Sequence, residues 1–253
     1  LPNATINYSG SPFAQNAAPV SVNRTGTAGG GYTATPTGLT IDDQTGQITP
    51  SSSLINNYVV TYTIPASGGC AQFTTTASVE IVATPAPDYT ITTTNGHLIV
   101  TDMAGNSDNL EMSENGTNIR FLTDVVRTFS LNGGPTTAFP ADIPFSGIID
   151  IVVNASNGND YIFISDFTQL LPSLTVNGDA GNDIVILGNI HFKPDAHLNI
   201  DLQNDPGTPG EDEISINALV VLSGSGTAIL KASAGVYLAN LTTENGDIVI
   251  EVN

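Results

Sequence analysis

The chain has 253 residues, enough for two domains of ordinary size, and five basic residues stand against 24 acidic ones, for a formal net charge of −19. That balance excludes nucleic acid as a partner, because binding it requires Lys and Arg to neutralise phosphates, and it disfavours anionic membrane surfaces in the same way. No apolar run approaches the length of a membrane span and no basic leader precedes one, so this segment is not expected to insert into a membrane.

The charge is uneven. Residues 1–84 hold three acids (Asp42, Asp43, Glu80) and one base (Arg24), a net of −2, whereas the remainder carries −17. Two halves with such different electrostatics are read as two domains. Thr, Asn, Gly, Val and Ile abound and Trp is absent; no window has helical periodicity, and the expected class is all-β. The lone Cys70 excludes an internal disulfide framework and a thiolate zinc cluster.

In chain order, the first half offers short alternating runs separated by turn clusters, among them 4–9, 19–25, 57–64 and 72–83. Between them, GLTIDDQTGQIT at 38–49 reads as a hairpin, with Leu39, Ile41 and Ile48 toward a core and Gly46 free to take positive φ. Several short strands at this spacing predict a β-sandwich over residues 1–84. Pro85 and Pro87 then hold the chain extended, which makes 85–87 the linker.

The segments INYSGSPFAQN at 6–16, GLTIDDQTGQI at 38–48 and YVVTYTIPASGGCAQFTTTASVEI at 58–81 resemble the immunoglobulin-like modules repeated in giant surface adhesins of gliding and biofilm-forming Bacteroidota. The resemblance implies an immunoglobulin-like sandwich and a Cys after the SPF element paired with the Cys of GGC. Here Ala14 takes the first place, so Cys70 stands alone and the core must hold the sandwich by itself.

The second half, residues 88–253, reads as a parallel β-helix, a solenoid of irregular rung length, with a second sandwich as the rival. Apolar runs at 97–102, 109–114, 148–153, 161–164, 183–187, 197–202, 213–216, 227–232 and 247–252 alternate with Gly, Asn and Asp turns. VNASNGNDYIFI at 153–164 and VNGDAGNDIVIL at 176–187 are self-similar, and the closing stretch from 223 is similar to filamentous-haemagglutinin-like repeats. NGGPTTAFPADIPFSG at 132–147 fits no rung and is expected to project.

Three segments share Gly-x-Asp-x-apolar: ASNGNDYIF at 155–163, GDAGNDIVI at 178–186 and GTPGEDEIS at 207–215, centred on Asp160, Asp183 and Asp212. AGNSD at 104–108 is a weaker relative. The middle segment resembles the nonapeptide of calcium-binding β-rolls, which implies calcium held by Asp160, Asp183 and Asp212 with help from Asp179, Asn159, Asn182 or Glu211. The alternative is that these are Asn/Asp/Gly turns whose side chains cap backbone groups. His191, Asp195 and His197 form a thinner metal candidate.

No nucleophile elbow, P-loop or dinucleotide fingerprint appears, so an enzyme is not expected. The expected function is a structural and adhesive segment of a long, secreted or cell-surface polypeptide or filament, stabilised by calcium and flanked by neighbouring modules or subunits. Leu1 in place of Met and the strand-like DIVIEVN at the other end carry the same expectation of adjoining segments. A glycan-binding module is the alternative, and a polysaccharide-acting β-helix enzyme the third.

Overall fold

The computed structural model describes residues 1–203 and 210–252 and divides the chain into two compact units, Leu1–Ala86 and Pro87–Asn253. Both are built of strands; the described residues contain no α-helix, only one 3-10 turn at Pro50–Ser52.

The first unit contains β1 (Ala4–Asn7), β2 (Phe13–Ala14), β3 (Asn23–Gly26), β4 (Gly31–Thr35), β5 (Asn56–Ile64) and β6 (Phe73–Val82). β1 pairs antiparallel with β3, and a second sheet runs in the order β2-β6-β5-β4. Alternation along β5 sends Tyr58, Val60, Tyr62 and Ile64 inward, where they join Ile6, Phe13, Tyr32, Val79 and Ile81 in one buried cluster. In the expected hairpin, Ile41 bridges Ile48 and Asp42 Oδ1 accepts the N–H groups of Gln44 at 2.9 Å and Thr45 at 2.7 Å. Cys70 is half-buried, and unpaired, in a tight turn closed on Ser67.

The second unit contains β7 (Tyr89–Thr94), β8 (His97–Asp102), β9 (Asn109–Asn115), β10 (Asn118–Thr123), β11 (Thr128–Leu131), β12 (Thr136–Ala138), β13 (Ala141–Pro144), β14 (Asp150–Asn154), β15 (Tyr161–Ile164), β16 (Ser173–Asn177), β17 (Ile184–Leu187), β18 (Ile190–His191), β19 (Leu198–Asp201), β20 (Glu213–Leu222), β21 (Ala228–Ala232), β22 (Gly235–Thr243) and β23 (Ile248–Val252). Two parallel ladders run through it. One is β8-β14-β16-β19-β21-β23 and the other β9-β15-β17-β20-β22, so each successive strand pair lies directly on the last.

The register stacks like on like. Leu98, Ile151, Leu174, Leu198 and Ala228 form one buried column and Leu110, Ile162, Val185 and Ile214 another. Each large apolar side chain so buried contributes roughly 1.5–3 kcal/mol. One end of the stack is closed by antiparallel strands, β7 on β8 and β10 on β9.

The segment expected to project is part of this closure. β12 pairs with β11 and β13 with β10, while the Phe139 ring stands 5.4 Å from Tyr89 and 5.0 Å from Phe129. Its apolar residues find no rung position of their own, so the chain turns back and buries them over the last exposed layer. β16 and β18 also lie outside the expected runs; β16 is recognisable only by pairing with β14 and β19.

Turns between the two ladders lie backbone on backbone. A Cβ on Gly181 would sit 1.4 Å from the Gly158 carbonyl oxygen, and Gly181 has φ +144. Gly181→Ala should therefore cost more than about 3 kcal/mol in chemical denaturation, through clash and backbone strain together. Gly133→Ala, at φ +72 with nothing within 4 Å, should cost only about 1 kcal/mol. Equal losses would mean that the turns separate freely.

Candidate functional site

The Gly-x-Asp signature forms one continuous structure along the second unit. Gly158, Gly181 and Gly210 occupy the same turn position in successive rungs, followed by Asn159, Asn182 and Glu211, then by Asp160, Asp183 and Asp212. Asp108 precedes this column and Ser233 follows it, so AGNSD is its first member. Gly207 of the third segment lies outside the described residues.

The Asp side chains are buried: Asp108 is 3% exposed, Asp160 4%, and Asp183 and Asp212 0%. The carboxylates of Asp160, Asp183 and Asp212 each reach back one rung. Asp108 N–H donates to Asp160 Oδ1 at 2.8 Å, Asp160 N–H to Asp183 Oδ1 at 2.9 Å and Asp183 N–H to Asp212 Oδ1 at 2.9 Å. The column closes where Asp212 N–H donates to Ser233 Oγ at 2.8 Å. The intervals are 52, 23, 29 and 21 residues, so the bond survives large changes in what lies between turns.

A second ladder runs on the solvent side in the opposite sense. Asn159 N–H donates to Ser107 Oγ at 2.9 Å, Asn182 N–H to Asn159 Oδ1 at 2.9 Å and Glu211 N–H to Asn182 Oδ1 at 3.0 Å. Consecutive turn residues thus bond in opposite directions, one toward each neighbouring rung. Asp179, half-buried at φ 63, supplies a left-handed turn conformation as Ser156 does at φ 68 in the rung before. The sequence pattern reveals the Asp positions, but Tyr89 and Arg127 carry no repeat signal. They terminate the column on Asp108, which accepts from Arg127 Nε at 2.7 Å and from the Tyr89 hydroxyl at 3.0 Å.

Burial pushes the Asp160 carboxyl up to about 7, and the charges of Asp183, Asp102 and Asp108 push the same way against the lowering effect of the Asp108 N–H. Asp160 Oδ2 has no hydrogen-bond partner. It lies by a cavity of about 10 Å³ bordered by Tyr89, Asp108, Leu110 and Ile162, at the lower limit for a single water. Burial also raises Asp102, against the N–H groups of Ala104 and Gly105.

Among the described residues, no three His, Cys, Asp or Glu side chains are grouped to hold one metal ion. Asp160, Asp183 and Asp212 stand in a row, one rung apart, and not around a common centre. Asp195 Oδ1 accepts from Ser225 at 2.8 Å while His197 Nδ1 contacts Thr227 Oγ1 at 2.8 Å, so that candidate serves local bonding. No family model matches the chain, nor does any curated protein or solved structure.

Removing an acceptor from the buried ladder should cost more than removing one from the exposed ladder. Asp183→Ala strands the Asp160 N–H and should lower stability by about 1–3 kcal/mol, whereas Asn182→Ala should cost under about 1 kcal/mol, both read from denaturant midpoints. The reverse order would place the main bonding on the surface.

The Asp160 ionisation has its own test. Unfolded, the carboxyl titrates near 3.8; folded, near 7, so its contribution to stability is fully present below the lower value and is lost as pH rises through the upper one. The lowered carboxyls of Glu114, Asp142 and Asp195 act in the more acid range. The melting temperature should thus be higher near pH 5 than near pH 8, by roughly several degrees. Asp160→Asn keeps the Oδ1 acceptor, cannot ionise and should largely flatten that slope. A variant as pH-sensitive as the parent would assign the slope to other groups.

Proposed function

We propose that the chain is a structural and adhesive segment of a long extracellular surface protein, with an immunoglobulin-like β-sandwich followed by a parallel β-helix. The observation that carries this reading is the pair of opposed ladders at the turns. The most specialised polar residues of the second unit join one rung to the next. A stack stabilised by neighbour-to-neighbour bonds grows by adding rungs and suits a spacer or stalk. The acidic balance of −19 fits a solvated surface that stays dispersed and meets cations or neutral partners.

On this reading the Asp column is a hydrogen-bond spine and not a calcium site. Calcium takes roughly six to eight oxygen ligands. Here one oxygen of each of Asp160, Asp183 and Asp212 already accepts a backbone N–H, and the space beside Asp160 is too small for an ion with its shell. Nor can a polysaccharide reach carboxylates this deeply buried, which disfavours a hydrolytic role for them.

Thermal unfolding should give the same curve with millimolar calcium and with a chelator. A rise of several degrees in calcium that disappears in Asp183→Asn would restore the metal reading. Location is tested separately: antibodies raised against the chain should label intact cells of the source organism. Labelling only after lysis would overturn the extracellular assignment.

A further inference from the structure

Outward-facing positions of a strand stack are normally polar, yet one patch of the second unit departs from this. On the outer face of β15, Tyr161 is 37% exposed and Phe163 half-buried, and the register continues them into the half-buried Ile184 and Ile186 of β17. On the other side, Glu111 is flanked by Phe163 of β15 and Leu122 of β10, and Asn109 lies beside Tyr161. Asn109, Glu111, Leu122, Asp124, Tyr161 and Phe163 line an open groove of about 390 Å³, the size of a small-ligand site.

The polar groups of the groove have one sign. Asp124 accepts from Asn109 Nδ2 at 2.8 Å, Glu111 stands between two apolar neighbours, and no Lys, Arg or His lines the space. A second copy of this chain packing face to face would set Glu111 and Asp124 against themselves, which like charge opposes. Anionic lipid, nucleic acid and acidic polysaccharide are repelled in the same way. The complementary ligand has flat apolar faces for the rings and positive charge for the carboxylates.

We infer that this groove binds a glycan of amino-bearing pyranoses, with Tyr161 and Phe163 stacking on sugar faces and Glu111 and Asp124 pairing with ammonium groups. A pyranose offers an apolar face of C–H bonds to an aromatic ring, and its ammonium gains from both the ring quadrupole and the carboxylates. The inference deepens the adhesive reading, resting on it for biological context, and names the class of surface to which the segment would attach. The site is separate from the buried Asp column.

The test is calorimetric titration of the full chain, at physiological ionic strength, with a glucosamine hexasaccharide, its N-acetylated form, a galacturonate hexasaccharide and hexalysine. The glucosamine oligomer should bind, the N-acetylated form more weakly, and the uronate not at all. Tyr161→Ala and the isosteric Glu111→Gln should each weaken glucosamine binding about tenfold. Glu251→Gln, on β23 outside the groove, should leave it unchanged. Tyr161→Ala must keep the parent's melting curve, and Glu111→Gln tests the same site without removing an aromatic ring. Absence of glucosamine binding, binding undiminished in both variants, or equal dependence of hexalysine on Tyr161 and Glu111 would overturn the proposal. Such a failure leaves cell-surface labelling untouched, and absent labelling leaves a measured affinity intact, so the two readings fail separately.

Discussion

At each turn of the second unit the chain leaves one sheet and enters the other, and the backbone N–H groups there lose their ladder partners. At the Gly-x-Asp turns the structure meets this need with side chains from adjacent rungs. Asp carboxylates of the following rung accept from one turn residue, and Asn or Ser oxygens of the preceding rung accept from the residue before it. Because an unsatisfied buried N–H costs about as much as a lost hydrogen bond, the stacked apolar columns depend on this exchange. Glycine is forced by the same arrangement, since turns close enough to bond leave no room for a Cβ at Gly181 or Gly210.

The arrangement has an electrostatic consequence. Buried carboxylates one rung apart repel one another and lose hydration, and both effects raise Asp160, whose second oxygen lacks a partner. At the start of the column Arg127 and Tyr89 donate to Asp108, and at its end the Ser233 hydroxyl donates to Asp212 Oδ2 at 2.9 Å. Burial shifts Asp160 toward its neutral form, which lowers the charge further in. The column therefore combines strong geometric specificity with a cost that grows as pH rises.

The two units solve the same problem differently. The first has a mixed core rich in tyrosines, whose hydroxyls reach the backbone: Tyr8 to Gly46 O at 2.5 Å and Tyr58 to Leu54 O at 2.7 Å. It needs no repeated polar device, because loops of varied length close it. The second repeats one turn chemistry and tolerates insertions between turns, including the four strands β10–β13 between β9 and β14. That tolerance follows from nearest-neighbour bonding, in which a rung needs only the two beside it.

Local chemistry was enough to identify the all-β class, the change of character near Pro85–Pro87, most strand positions and the Gly-x-Asp turns, because alternation and turn residues act within a few positions. It identified Asp160, Asp183 and Asp212 as special residues, with Asn159 and Asn182 beside them, but not what they do. A carboxylate beside a glycine turn has the same sequence pattern whether it faces an ion or an N–H group 23 or 29 residues away. Only the register between rungs brought those N–H groups to the carboxylates, along with the place of Asp108, the closure by residues 136–144 and the meeting of Glu111 with Phe163. These are pairings across strands distant in sequence, and the free energy that selects them comes from burying surfaces that no local window contains.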